Sequence, residues 1–160
     1  MKKSIAVFLA FVFMFLSVPF VHAKDSNDGM AGDFKLFSLS HKEYTLSGYK
    51  DKQPVLLFFW STWCPFCQAE IKKISGKTQE LAGAGIEMIT INIGEPKDRV
   101  MRFLIDHKIN LIALLDEDTA VSNSYGVLGV PTFFLVDKEG KIIFEGNNFP
   151  ENYKSLVFGK

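Results

Sequence analysis

Cys64 and Cys67 are the only cysteines in the 160-residue chain, and they stand in the run Trp60-Ser61-Thr62-Trp63-Cys64-Pro65-Phe66-Cys67. A pair so spaced can hold half of a metal site, close a small structural disulfide, or exchange electrons as a dithiol and a disulfide. A zinc site needs two further ligands, yet there is no other cysteine, and His41 and His107 each stand alone in sequence. A structural disulfide around four residues is worth only about 2 kcal/mol on the chain-entropy model. Redox exchange is the reading that the surroundings favour.

Those surroundings are a strand and a helix. Val55 to Phe59 is an unbroken apolar run, too short for a helix and suited to a strand buried on both faces. Cys67, Ile71, Ile74, Thr78 and Leu81 recur at spacings of four, three, four and three, which is one face of a helix extending to Leu81. Pro65 fits its first turn. The cysteines thus open a helix, where free N–H groups and partial positive charge stabilise a thiolate. Cys64, at the helix end, is the attacking sulfur; Cys67, one turn deeper on the apolar face, is the resolving one. Glu70 lies three residues beyond Cys67 and about 60° around the helix, at the edge of the apolar stripe. There it can take the proton of Cys67 or be an ordinary solvated residue near a helix start.

The remaining elements follow in order. Phe34, Leu36 and Tyr44 to Leu46 predict a small hairpin across His41 to Glu43. Ile86 to Ile93 is a strand, Pro96 opens a helix carrying Val100, Phe103 and Leu104, and Leu111 to Leu115 is another short strand. Thr119 to Tyr125 is a short helix, and Thr132 to Val136 with Lys141 to Glu145 form a hairpin over Lys138-Glu139-Gly140. Helices between strands make this an α/β domain with antiparallel edge strands at its end. Trp60 continues the buried strand and is core, as are Phe133 and Phe134, whereas Trp63 beside Cys64 shapes a contact surface. Arg99 and Arg102 stand near Asp98 and Asp106 as a solvated face.

Lys2 and Lys3 precede an apolar run from Ile5 to Val18, and Val21-His22-Ala23 offers small residues three and one before a cut. Residues 1–23 therefore read as an export signal, with an uncleaved anchor as the alternative. Residues 24–32 are polar and Gly-bearing, a flexible leader, and 33–160 form one domain. Removing the first 23 of 160 residues leaves 137, the size of one domain. Lys+Arg and Asp+Glu number 18 each; without Lys2 and Lys3 the balance is 16 against 18, a net charge of −2. Such a chain is no nucleic-acid binder, and its 48% hydrophobic and 22% charged residues exclude a disordered chain. It should work outside the cytoplasm, in a compartment such as the periplasm where disulfides persist.

Three stretches carry a resemblance: Phe58 to Cys67 with Glu70 beyond it, Tyr125 to Asp137 (Tyr-Gly-Val-Leu-Gly-Val-Pro-Thr-Phe-Phe-Leu-Val-Asp), and the hairpin with Gly140. The chain resembles the extracytoplasmic thioredoxin-like thiol-disulfide oxidoreductases of the TlpA/ResA/DsbE type over roughly residues 32 to 146. The resemblance implies a thioredoxin-like fold with an N-terminal β-hairpin and a βα insertion over Ile86 to Leu115. It implies a cis Pro131 beside the active site and a backbone at Val130 that pairs with substrate peptide, and it favours a functional Glu70. Trp63, Pro65, Phe66 and Val130 are the expected substrate-contacting residues. No cofactor beyond the Cys64–Cys67 disulfide is expected and no metal. The implied partners are protein thiols and disulfides such as apocytochrome c, in cytochrome c maturation or a related reductive task, with a membrane electron donor of the CcdA or DsbD kind; the chain itself is expected to be a monomer. Many relatives carry a proline two residues after the glutamate, where this chain has Lys72. Phe66 offers neither charge nor hydrogen bond to the thiolate, so it does not set the direction of electron flow. Two other functions stand as alternatives: Sco-like copper delivery, although that family uses C-x-x-x-C and a distant histidine, and a peroxiredoxin-like peroxidase.

Overall fold

The structure, a computed structural model, describes residues 29–159. The strands are β1 (Lys35–Ser38), β2 (Glu43–Thr45), β3 (Val55–Trp60), β4 (Glu87–Ile93), β5 (Ala113–Asp116), β6 (Thr132–Val136) and β7 (Ile142–Gly146). They make one mixed sheet in the order β2-β1-β5-β4-β3-β6-β7. The helices are α1 (Pro65–Ser75), α2 (Thr78–Gly83), α3 (Lys97–Asp106), α4 (Ala120–Ser124) and α5 (Tyr153–Phe158), with a 3-10 turn at Ser47–Tyr49.

β3 is buried along its whole length because both of its faces are covered. Leu56, Phe58 and Trp60 meet Cys67, Ile71 and Ile74 of α1, Leu81 of α2 and Val100, Phe103 and Leu104 of α3. Val55, Leu57 and Phe59 join the second cluster on the opposite face with Phe34, Leu36, Ile89, Ile91 and Phe134. β3 and β4 run parallel, as do β4 and β5, so each pair needs a crossover, supplied by α1–α2 and by α3. The predicted insertion, Ile86 to Leu115, takes in β4, this second crossover and most of β5. It places β5 between β4 and the N-terminal hairpin, where Phe37 lies opposite Leu115 in an antiparallel pair. β6 joins β3 from the other side, and Phe133 stacks on Phe58 with ring centroids 4.5 Å apart.

Two expectations change, and one helix is new. The helix that the periodicity carries to Leu81 is two: α1 stops at Ser75, Gly76 and Lys77 intervene, and α2 restarts at Thr78. Gly76 is a poor helix former, and the tightened bond from Lys77 N–H to the Ile74 carbonyl at 2.9 Å re-aims the chain while Leu81 stays buried. The leader expected to be flexible through residue 32 is fastened from Gly29 onward. Ile142 N–H donates to the Gly29 carbonyl at 2.7 Å and Ala31 N–H to that of Gly140 at 2.9 Å, so this segment satisfies backbone groups that an edge strand leaves open. Finally, α5 had no counterpart in the sequence reading. Its Tyr153 is buried beside Phe149, and its hydroxyl donates to Glu80 at 2.7 Å.

The β6–β7 turn uses Gly140 at φ 92°, a conformation that favours glycine. The export signal and its Ala23 site lie outside the described residues. Among the described residues no helix is long and apolar enough to cross a membrane.

Candidate active site

β3 ends at Trp60, fully buried, with its indole N–H donating to Thr90 Oγ1 at 3.2 Å. Ser61, Thr62 and Trp63 then lift the chain to the start of α1. Cys64 is the N-cap in extended conformation and Pro65 follows at the first helical position, where its missing N–H costs nothing. The Cys67 N–H points at Cys64 Sγ, 3.1 Å away. The helix thus aims one of its free donors at the sulfur that would carry negative charge on reduction. The two cysteines are joined as a disulfide, with Cα atoms 5.2 Å apart.

Cys64 is nearly as enclosed as its partner, at 3% against 0% exposure, so the difference in access that the helix positions imply is small in the disulfide form. What stands in solvent is the rim: Trp63 is 66% and Phe66 74% exposed, and Pro65 is exposed between the cysteines. Across from them runs the loop before β6. Its Val130–Pro131 peptide is cis, as the resemblance implies, and the Val130 carbonyl oxygen lies 3.5 Å from Cys64 Sγ. Asn147, just past β7, donates from Nδ2 to the Pro131 carbonyl at 2.8 Å, and Thr132 Oγ1 donates to that of Gly129 at 2.7 Å. Leu128, at the tip of this loop, is fully exposed and lines a groove with Trp63 and Val130.

Glu70 faces a second cleft, shared with Phe66, Val130, Pro131 and Asn147. Its side chain is 20% exposed, with Lys73 Nζ 3.8 Å from Oε1, and its Oε2 is buried without a hydrogen-bond partner. The helix geometry thus brings Glu70 to the same cleft as the Pro131 loop, with one carboxylate oxygen unengaged. Cys64, bonded to Cys67, faces Val130, and Glu70 shares its cleft with Val130 and Pro131; Trp63 lines the groove with Leu128, and Phe66 the cleft with Glu70.

The site holds a second carboxylate that the sequence reading missed. Glu95, between β4 and α3, is 3% exposed. Its Oε2 accepts from the Thr62 backbone N–H at 2.6 Å and from Asn92 Nδ2 at 2.8 Å, and its Oε1 accepts from Thr62 Oγ1 at 2.5 Å. Arg99 Nη1, 3.7 Å from Oε1, belongs to this group rather than to a purely solvated face. Gln68 Nε2 holds the Thr62 carbonyl at 2.7 Å. In sequence its only mark is its place in Gly94-Glu95-Pro96 at a strand's carboxyl end, the edge of an α/β sheet where sites gather, which is too general to single it out. Asp116 at the end of β5 is also fully buried and caps α4 through the N–H groups of Val121 and Ser122 at 3.1 and 2.8 Å. His41 contacts Lys97 Nζ and His107 the Phe103 carbonyl; among the described residues no three His, Cys, Asp or Glu side chains gather as a metal site.

The AhpC/TSA family profile matches residues 28–145. The chain is 36% identical to the thiol-disulfide oxidoreductase ResA of Geobacillus thermodenitrificans over 78% of its own length and 72% of that protein's. It is 34% identical to ResA of Bacillus subtilis over 71% of its length and 63% of that protein's, so part of these relatives has no counterpart in the match. The crystal structure of StoA from Bacillus subtilis superposes with a TM-score of 0.68 at 20% identity, covering 80% of this chain and 98% of that one, a likeness of fold.

Proposed function

Because this chain belongs to the AhpC/TSA family and, within it, to the thioredoxin-like ResA group, we propose that it is an extracytoplasmic oxidoreductase that reduces protein disulfides. The observation that carries this reading is the Cys64–Cys67 pair at the start of α1, facing the Val130 carbonyl across 3.5 Å. In the reduced protein the Cys64 thiolate attacks a substrate disulfide, forming a mixed disulfide and expelling one substrate thiolate. Cys67, losing its proton to Glu70, attacks Cys64 Sγ; the second substrate thiolate leaves and the Cys64–Cys67 disulfide forms. Two electrons pass to the substrate, with protons completing its two thiols. Val130 pairs with the substrate backbone as an added strand, and Trp63, Pro65 and Phe66 supply its apolar rim.

The export signal at residues 1–23 supports the extracytoplasmic setting. The reductive direction, the apocytochrome c substrate and a CcdA- or DsbD-like donor that recharges the disulfide come from the resemblance, and a monomer suffices for the cycle. Cys67→Ser removes the resolving thiol, so in cells it should accumulate mixed disulfides through Cys64 with exported thiol proteins, on a chain beginning at Lys24. Capture of no protein by Cys67→Ser, together with peroxide consumption by the parent, would overturn the reading in favour of a peroxidase.

A further inference from the structure

Glu95 is a buried charge with no part in the exchange steps just described. It lies just past β4, and its shortest contacts are with Thr62, in the loop that delivers Cys64, rather than with α3. Three donors converge on its two oxygens: the Thr62 N–H and the Asn92 amide on one, the Thr62 hydroxyl on the other. Asn92 turns its NH2 to Glu95 although this leaves its own Oδ1 buried without a donor. An ionised, acceptor-only carboxylate is the form this set of donors serves. Thr62 is two residues from Cys64, and both residues are buried, as is Glu95; in the run Trp60 to Cys64 only the side chain of Trp63 is exposed. A charge there is screened far less than one in water.

We infer that Glu95 is a positioning residue that also sets the redox balance of the site: it anchors the Thr62 turn, and its fixed negative charge disfavours the Cys64 thiolate and holds the couple toward the disulfide, that is, toward donating electrons. This deepens the proposed function and rests on it for the meaning of that direction. The logic is that of the thiol couple itself, in which whatever stabilises the reduced thiolate makes the disulfide a stronger oxidant, and whatever opposes the thiolate makes the dithiol a stronger reductant. Two influences of opposite sign therefore meet at Cys64. The start of α1 and the Cys67 N–H favour its negative charge; Glu95 opposes it.

The other charged groups on the surrounding elements are few. Arg99 on α3 stands 3.7 Å from Glu95 and is 61% exposed, so it offsets the carboxylate only in part. Glu70 on α1 is beside Lys73. Asp116 on β5 is engaged with the N–H groups of α4. The loop Val127 to Pro131, which faces Cys64 from the other side, carries no charge.

The test uses Glu95→Gln in the complete exported protein. The amide oxygen can accept from the Thr62 N–H and Asn92, and the amide NH2 can donate to the Thr62 hydroxyl, so the anchor persists while the charge is lost. The pH midpoint of Cys64 alkylation should fall by about half a unit, threefold in thiolate population on the acid side. The equilibrium constant against glutathione should move threefold toward the dithiol at pH values above the parent's midpoint, about 14 mV for a two-electron couple. That difference should close at acid pH, where both proteins are fully protonated dithiols. A purely structural role would change thermal stability and leave this pH-dependent difference absent. Arg99→Gln is exposed enough to spare the fold, and it should raise the Cys64 midpoint, the reverse of Glu95→Gln. An unchanged or raised midpoint in Glu95→Gln overturns the inference, and if that variant does not fold, an unchanged or lowered midpoint in Arg99→Gln does so. Both measurements use small thiols, so they stand whether or not the protein captures exported substrates.

Discussion

Cys64 Sγ and the carbonyl oxygen of Val130 lie 3.5 Å apart although 66 residues separate them in the chain. The contact joins the start of α1 to the loop before β6, and it follows from β3 and β6 being adjacent antiparallel strands, with Phe59 opposite Thr132. A peptide laid along Val130 is thereby brought to the sulfur. In the reduced protein, Cys64 should be alkylated before Cys67, with a midpoint below the roughly 8.5 of a free thiol. Mass spectrometry of partially alkylated protein reads this directly, and faster labelling of Cys67 would reverse the two roles.

Glu70 lines the cleft beside Pro131, and its Oε2 is buried without a hydrogen-bond partner. Glu70→Gln keeps the volume and removes the base. Resolution of a preformed mixed disulfide should then slow by about 10²-fold near neutral pH, the lower end of what a positioned base contributes. The first attack by Cys64 should be nearly unaffected. Stopped-flow release of a chromogenic thiol separates the two steps, and equal resolution rates at every pH would return Glu70 to the solvated surface.

Phe133 is fully buried and stacks on Phe58 under the active-site loops. Phe133→Ala should cost about 3–5 kcal/mol, the range for removing an aromatic ring from a packed core. Denaturant unfolding checks the value; a loss under 1 kcal/mol would mean that the neighbouring side chains collapse into the space.

Burial pushes the Tyr49 hydroxyl up to about 12, helped by the nearby negative charge of Glu87. Tyr125, whose hydroxyl donates to the Gly32 carbonyl at 2.5 Å, is raised for the same chief reason. Both groups are acids whose folded form prefers the neutral state. Their contribution is therefore fully present below the unfolded value near 10 and is lost as the pH rises through the folded values. Stability measured by denaturant should fall from about pH 10 upward, and Tyr49→Phe with Tyr125→Phe should flatten that fall. An unchanged slope in the double variant would place the alkaline transition elsewhere.

The redox pair, its strand and its helix were legible because they are local. An apolar run of five, a proline in the first turn and a helical spacing that includes Cys67 each follow from neighbours in sequence; β3, β4, α3, β6 and β7 stand where the local pattern puts them, and α1 begins where it predicts. Glu70 was reachable for the same reason, being one turn from Cys67 on the same helix. Glu95 was not. Its meaning depends on β4 lying parallel beside β3, with Asn92 opposite Trp60, which brings a carboxylate 33 residues away onto the Thr62 N–H. In the sequence it is one more acidic residue before a proline. The split of the long helix and the docking of α5 through Tyr153 were hidden likewise, since a short polar-flanked segment such as Tyr153–Phe158 has too few turns to show a period and is held by Phe149 and Glu80. Local pattern determined which residues could do the chemistry, and the adjacency of strands far apart in the chain decided which charges surround it, because a buried charge acts through space and not along the chain.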